Sequence, residues 1–297
     1  MWERARERGL PCHASSVSLA PFPDDDVAPL VDLLAGKRIV ALTGAGCSTE
    51  SGIPDYRGGG RTGPRNPIQH DAFMRSADVR RRYWARATLG WSRFSGAEPN
   101  AGHRALAAME ASGWLAGVIT QNVDRLHQRG GSRRVVELHG ALADVACLRC
   151  GRGEPRHEVH ARMVDANPGW LETAPEIHPD GDAELDAERV ADFSVVGCRL
   201  CGGELKPDVV FFGGSVAERT LASAWDLFAE AEVLLVVGSS LAVYSGFRFV
   251  RRAQESALPI AVVNIGPTRA DELAAAKVSA SVGEILPRLA SALGVRS

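Results

Sequence analysis

The sequence predicts an α/β fold: a parallel sheet flanked by helices, with a smaller module formed by insertions. Three observations predict it. Short apolar stretches of strand length recur at residues 38–42, 117–120, 233–237 and 260–263. Strands apolar throughout are those covered by helices on both faces. Segments with helical spacing lie between them, as at 102–111 and 216–231, and alternating strands and helices argue for a parallel sheet. Finally, two stretches, 55–100 and 140–207, break the alternation.

In chain order, residues 1–25 mix charge, Ser and Pro without a period and read as a flexible tail. Residues 27–35 carry apolar positions at helical spacing, stopped by Gly36. Residues 38–42 form a strand that runs into Thr43-Gly44-Ala45-Gly46-Cys47-Ser48. A long loop rich in Gly, Arg and Pro follows, then one or two helices over 71–90. The strand at 117–120 runs into Gln121-Asn122, that at 233–237 into Gly238-Ser239-Ser240, and that at 260–263 into Asn264. Polar and glycine residues thus cluster at the strands' carboxyl ends, where ligands bind in open α/β sheets.

Composition excludes several classes. The chain has 297 residues, 45% hydrophobic and 24% charged, with a net charge of -2. A nucleic-acid-coating role is not expected without a basic excess. No apolar run approaches a membrane span, and no secretory pattern is visible, so a cytoplasmic setting is expected.

Of six cysteines, four are paired: Cys147-x-x-Cys150 and Cys198-x-x-Cys201, with 47 residues between the pairs. Each turn aims two sulfurs at one point, and two turns complete a tetrahedral thiolate set suited to zinc. Four sulfurs leave no open coordination position, so the ion is structural. Iron is the lesser alternative, and redox pairs or disulfides are the other reading.

Gly44 and Gly46 after a strand would let backbone approach a pyrophosphate, with a helix N-terminus offering N–H groups. The third glycine of the dinucleotide fingerprint is missing, Thr49 standing there. Alone the motif reads as a tight turn. It is followed, however, by Ser51-Gly52-Ile53-Pro54-Asp55-Tyr56-Arg57, Gln121-Asn122-Val123-Asp124, Leu138-His139-Gly140, the two cysteine pairs, a segment from Lys206 to Gly213, Gly238-Ser239-Ser240-Leu241 and Asn264-Ile265-Gly266. This ordered set, over residues 30–290, closely resembles the sirtuin family of NAD-dependent protein-lysine deacylases. The segments Arg82–Arg86 and Val243-Tyr244-Ser245-Gly246 look most like class II sirtuins.

The resemblance implies a Rossmann-like domain from about 26–54, 101–140 and 206–297, a helical insertion at 55–100 and a zinc module at 141–205. It implies NAD as co-substrate, one structural zinc, and acylated-lysine proteins as substrates. The family moves the acyl group from lysine to ADP-ribose and releases nicotinamide. His139 matches the general base, with Asn122 and Asp124 the other catalytic positions. Gly44, Ala45, Gly46, Ser48, Asp55, Tyr56, Arg57, Gln121 and Val123 match cofactor contacts, as do Gly238, Ser239, Ser240, Asn264, Ile265, Gly266 and Val282. Val209, Val210 and Phe211 match a strand that pairs with the substrate and walls an acyl-lysine tunnel.

Tyr83 and Arg86, three apart on a helix, resemble a pair that grips acidic acyl groups. Arg86 is either that carboxylate ligand or a structural ion-pair partner. Cys47 replaces an aliphatic residue, as a small buried hydrophobe or an oxidisable thiol. Protein ADP-ribosyl transfer and a catalytically weak NAD-binding regulator are the alternative functions. The remaining histidines, among them His103 and His127, read as surface or satisfied core residues.

Overall fold

The computed structural model describes residues 26–55, 67–172 and 187–295. Tyr56, Arg57 and the expected tail at 1–25 lie outside the described residues. The elements are α1 (Ala28–Leu34), β1 (Ile39–Thr43), α2 (His70–Arg75), α3 (Ala77–Ser95), α4 (Ala101–Ala111), β2 (Leu115–Thr120), α5 (Leu126–Arg129), β3 (Val135–Glu137), β4 (Gly140–Cys147), β5 (Gly153–Pro155), α6 (Arg156–Asp165), α7 (Ala187–Ala191), β6 (Leu205–Val209), α8 (Glu218–Phe228), β7 (Val233–Val237), α9 (Tyr244–Glu255), β8 (Ile260–Val263), β9 (Ala276–Val278) and α10 (Val282–Ala292).

Six strands make one parallel sheet in the order β3-β2-β1-β7-β8-β9. Alternate residues of β1 serve opposite faces, as strand geometry requires. Ile39 and Ala41 join the core under α1, α4 and α10, with Leu34, Leu106 and Leu289. Val40 and Leu42 join the core under α8 and α9, with Leu227 and Phe249. Truncating such a side chain to alanine costs about 2–5 kcal/mol. Strand order reverses at β1, and Thr43 pairs with both Thr120 and Val237. The residues after these three strands therefore emerge at one level, beside the crevice that such a reversal opens.

The two insertions build one module. β5-β4-β6 form an antiparallel sheet. Its core joins Phe73, Tyr83 and Trp84 of the helical insertion to Val145, Val159 and Leu205 of the cysteine-bearing one. Two indole N–H groups tie them further, Trp84 donating to the Leu205 carbonyl and Trp170 to that of Ala85, each at 3.0 Å. The Arg156 guanidinium lies over Trp84 and Trp91, 4.7 and 5.0 Å from the ring centroids, a cation–π arrangement. β6 pairs with β4, so residues 206–209 belong to this small sheet and not to the parallel one. No helix of the described residues is long and apolar enough to cross a membrane.

Candidate active site

β1 does not lead into an α-helix. It leads into two 3-10 turns, Ala45–Cys47 and Thr49–Ser51, so the expected helix N-terminus is absent there. Thr49, where the third glycine of the fingerprint would stand, instead opens the second of these turns. Gly44 and Gly46 serve another need. A Cβ on Gly44 would stand 2.7 Å from the Ser239 Cβ, and one on Gly46 2.9 Å from the Gly238 carbonyl oxygen. These glycines let the loop after β1 lie against the loop after β7, where the Gly46 N–H donates to the Gly238 carbonyl at 2.8 Å.

Side chains lock the third loop, after β2, onto these two. Gln121 Nε2 donates to Ser239 Oγ at 2.8 Å. Asn122 Nδ2 donates to the Gly44 carbonyl and to Ser48 Oγ, each at 3.0 Å. Ser48 Oγ donates to Asp124 Oδ2 at 2.6 Å, and Asp124 Oδ1 accepts the Leu126 N–H. Burial pushes the Asp124 carboxyl above its usual range, while the Ser48 bond pulls it back. Glu50 accepts the Ser281 hydroxyl and the Gly283 N–H, tying the β1 loop to the start of α10 beside Val282.

His139 lies between β3 and β4. Its Nδ1 is 2.8 Å from the Gln121 carbonyl oxygen and its Nε2 2.7 Å from Ser245 Oγ. A carbonyl only accepts, so Nδ1 carries the proton and Nε2 holds the lone pair. Burial lowers the pKa of this imidazole below the ordinary histidine value.

These groups line one cleft of about 1410 Å³, larger than the roughly 300–1,000 Å³ usual for one small ligand. On the sheet side it is walled by Gly44, Ala45, Gly46, Ser48, Asp55, Gln121, Asn122, Val123, Asp124, His139, Gly238, Ser239, Ser240, Asn264, Ile265, Gly266 and Val282. From the module come Ile68, Tyr83, Phe94, Val209, Val210 and Phe211. A polar cradle beside an apolar wall, with room for two ligands, fits a dinucleotide and an acylated side chain. Arg86 is not among the lining residues, so α3 offers the cleft Tyr83 without its expected partner. Tyr83 packs edge-on to Phe73 and Phe211, at 5.5 and 5.4 Å between centroids.

Sequence reasoning assigned no role to Ser245, Gly246 or Lys206. A Cβ on Gly246 would meet Gln121 Oε1 at 2.5 Å, so this glycine lets α9 abut the β2 loop. Lys206 Nζ donates to the Pro207 and Val209 carbonyls and sits 4.9 Å from the Phe211 centroid, bracing the apolar wall. No local pattern marks Ser245 or Gly246, because each acts on a segment distant in sequence, whereas Lys206 braces residues that follow it directly in the chain.

The four paired cysteines converge. Their sulfurs all lie within 4.8 Å of one another, with Cys147–Cys201 at 3.5 Å and Cys150–Cys198 at 3.8 Å. Tetrahedral zinc with Zn–S near 2.3 Å demands edges of about 3.8 Å, whereas a disulfide needs about 2.0 Å. Backbone N–H groups of Arg149, Leu200 and Gly203 point at three of the sulfurs at 3.4 Å. The donor set fits one structural zinc.

A second cluster, Cys47, His103 and His127, is buried behind the cofactor loop. Here neighbouring groups take up the ring nitrogens, except His127 Nδ1, which is buried without a hydrogen-bond partner among the described residues. His103 Nδ1 accepts the Asn100 N–H, which leaves the Nε2 proton facing the Cys47 sulfur at 3.8 Å. His127 Nε2 meets Thr43 Oγ1 at 2.8 Å. Burial pushes the Cys47 thiol up and holds His103 at about 4 and His127 at about 3. All three stay neutral, as core residues do.

The Sir2 family profile matches residues 44–245. NAD-dependent protein deacetylase 1 of Streptomyces coelicolor is 52% identical over 272 residues, 91% of each chain. The mitochondrial NAD-dependent protein lipoamidase sirtuin-4 of Homo sapiens is 48% identical over 288 residues, 93% of this chain and 91% of its own. Among solved structures, Sir2Tm bound to a propionylated peptide superposes with a TM-score of 0.72 at 30% identity, covering 91% of this chain and 99% of that one. A Sir2 protein with a p53 peptide and NAD+ gives 0.71 at 30% identity, covering 91% of this chain and all of the other.

Proposed function

The chain belongs to the Sir2 family, the sirtuins, and is an NAD-dependent protein deacylase; from that premise we propose which of its residues carry the reaction. NAD supplies the chemistry of its nicotinamide–ribose bond, whose cleavage provides the ADP-ribose that receives the acyl group. The three interlocked loops after β1, β2 and β7 would hold the dinucleotide, together with Asn264, Ile265, Gly266 and Val282, which line the same cleft. Asn122 and Asp124 orient polar groups at the loop junction, with Ser48 between them.

One observation supports His139 as general base. Its Nδ1 proton is committed to the Gln121 carbonyl, so Nε2 offers its lone pair in the cleft where loops and apolar wall meet. A neutral imidazole poised this way can take a proton from a hydroxyl. Tyr83, Val209, Val210 and Phe211 wall the acyl chain. Their apolar surface favours neutral acyl groups over those ending in carboxylate, since a buried charge without a partner is costly. Main-chain pairing along the Val209–Phe211 segment would read little target sequence.

The test incubates the full chain with NAD and a panel of acetyl-, propionyl-, lipoyl-, succinyl- and glutaryl-lysine peptides, with products read by mass spectrometry. Deacylated peptide with equimolar O-acyl-ADP-ribose, formed fastest from neutral acyl groups and at least about a hundredfold more slowly by His139→Ala, is the expected outcome. ADP-ribose attached to protein would move the reading to transfer onto protein. Full activity in the His139 variant would remove the base assignment.

A further inference from the structure

The N-terminal turn of α9 reaches the nitrogen on which the proposed reaction depends. Ser245 Oγ is 2.7 Å from His139 Nε2. The tautomer set by the Gln121 carbonyl makes Nε2 an acceptor, so the Ser245 hydroxyl donates. The arrangement is braced on each side. Gly246, the next residue of α9, lies so close to the Gln121 carboxamide that a Cβ would collide with it. Gln121 in turn donates to Ser239, and the His139 carbonyl accepts the Val210 N–H at 2.9 Å.

We propose that Ser245 is a positioning residue for His139: its hydroxyl holds Nε2 in the free enzyme and yields that nitrogen to a substrate hydroxyl when the cleft fills. The proposal rests on the reading of His139 as base. In the step it prepares, the substrate O–H bond breaks, its proton goes to Nε2 and the oxygen keeps the electron pair. Ser245 keeps its own proton throughout. Its hydroxyl holds the ring rotation that Gln121 sets from the other nitrogen, and it preserves the unprotonated form until substrate arrives.

Two consequences separate this role from a merely structural one. A donated hydrogen bond favours neutral imidazole, so its loss raises the titration point of His139, by about half to one pH unit for an ordinary bond. Moreover, the bond exists only before the cleft fills. The acid limb of kcat/KM reports the free enzyme and that of kcat the substrate complex, so only the first should move. Charged groups on the elements adjoining His139 and its partners are Asp124 after β2, Glu137 on β3, Asp144 on β4, Lys206 and Asp208 on β6, and Arg248, Arg251, Arg252 and Glu255 on α9. Among the described residues, the imidazole's hydrogen-bond partners are Gln121 and Ser245.

The experiment compares wild type, Ser245→Ala and Ser245→Thr. The titration of His139 is followed by NMR of the ring in the unliganded full chain, and kcat and kcat/KM are measured against pH with NAD and an acetyl-lysine peptide. Expected is an upward shift of the His139 titration and of the kcat/KM limb in Ser245→Ala, an unmoved kcat limb, and restoration by threonine. An unshifted titration, or equal displacement of both limbs, overturns the proposal. The NMR reading does not depend on catalysis, so failure of the base assignment, seen as full activity in His139→Ala, is distinguishable from failure of the Ser245 bond.

Discussion

Ser48 of the β1 loop donates its hydroxyl to the Asp124 carboxylate of the β2 loop at 2.6 Å. That bond partly offsets the cost of burying the charge, yet burial dominates and the carboxyl pKa stays raised. A raised carboxyl means the native state binds the proton more tightly than the unfolded chain. Stability from this group is therefore fullest at acid pH and declines as pH rises from the unfolded towards the native value. Asp124→Asn removes the buried charge and should melt higher than wild type at neutral pH, the gap closing as acid protonates the wild-type carboxyl. The same change should lower kcat/KM about ten- to a hundredfold, the scale of a hydrogen bond to a charged group. Calorimetry across pH beside steady-state kinetics checks both, and a lower melting point in the variant would contradict the buried-charge account.

Burial depresses the His139 pKa, with the Gln121 carbonyl pulling upward. Neutral imidazole therefore persists below about pH 6.5, the ordinary histidine value. The acid limb of kcat/KM should fall below that pH. Stability linked to this group is present above the unfolded value and is lost as pH falls, because only the unfolded chain then gains the proton. His139→Ala should cost about 10²–10⁴ in turnover. A limb at or above pH 6.5 would mean another group controls the profile.

The parts legible in the sequence were those written contiguously. Four parallel strands announce themselves as apolar runs, and the cysteine pairs as fixed spacing. β3 and β9 do not, since Val135–Glu137 and Ala276–Val278 are three residues long and too short to show a period. β6 was divided from its partner β4 because residues 206–209 follow the cysteine pairs directly, and only the pairing reveals their sheet. The contacts of Ser245 with His139 and of Gly238 with Cys47 join segments 106 and 191 residues apart, separations that no window of sequence spans.

Gly238 adopts φ 57°, and a Cβ there would stand 2.3 Å from the Cys47 backbone nitrogen. Backbone cannot step aside as a side chain can. Gly238→Ala should lose about 1–3 kcal/mol from the left-handed conformation alone, with further loss as the Gly46–Gly238 bond opens. Urea denaturation and NAD calorimetry should show reduced stability and weakened binding together. Wild-type affinity in the variant would show that the loop contact does not shape the cofactor site.

Cys147→Ala leaves three sulfurs and should lose the zinc, since metal binding and folding of such a site are coupled. The effect should spread, because Cys147 and Cys198 share a core with Tyr83 and Phe73 of the other insertion. Hydrogen exchange should rise over β4, β6 and α3 while β1, β2 and β7 stay protected. Metal analysis at wild-type content, or loss of protection throughout the parallel sheet, would contradict the module's independence.

Tyr83 and Arg86 stand nearly one turn apart on α3, yet only Tyr83 lines the cleft. Residues three apart share a helix face in broad terms, but the rotation of α3 against β4 and β6 seats Tyr83 among Phe73, Trp84 and Phe211. Among the described residues, this pair therefore gives the acyl wall its aromatic ring and not its guanidinium. Arg86→Ala should change turnover of acetyl-lysine and glutaryl-lysine peptides by the same factor, leaving the preference for neutral acyl groups intact. Any loss should come through the structural contacts that the arginine makes, packing of its stem included, and appear in thermal stability first. A selective fall on succinyl and glutaryl peptides, at unchanged stability, would instead bring Arg86 into the acyl pocket and make acidic acyl groups the substrates.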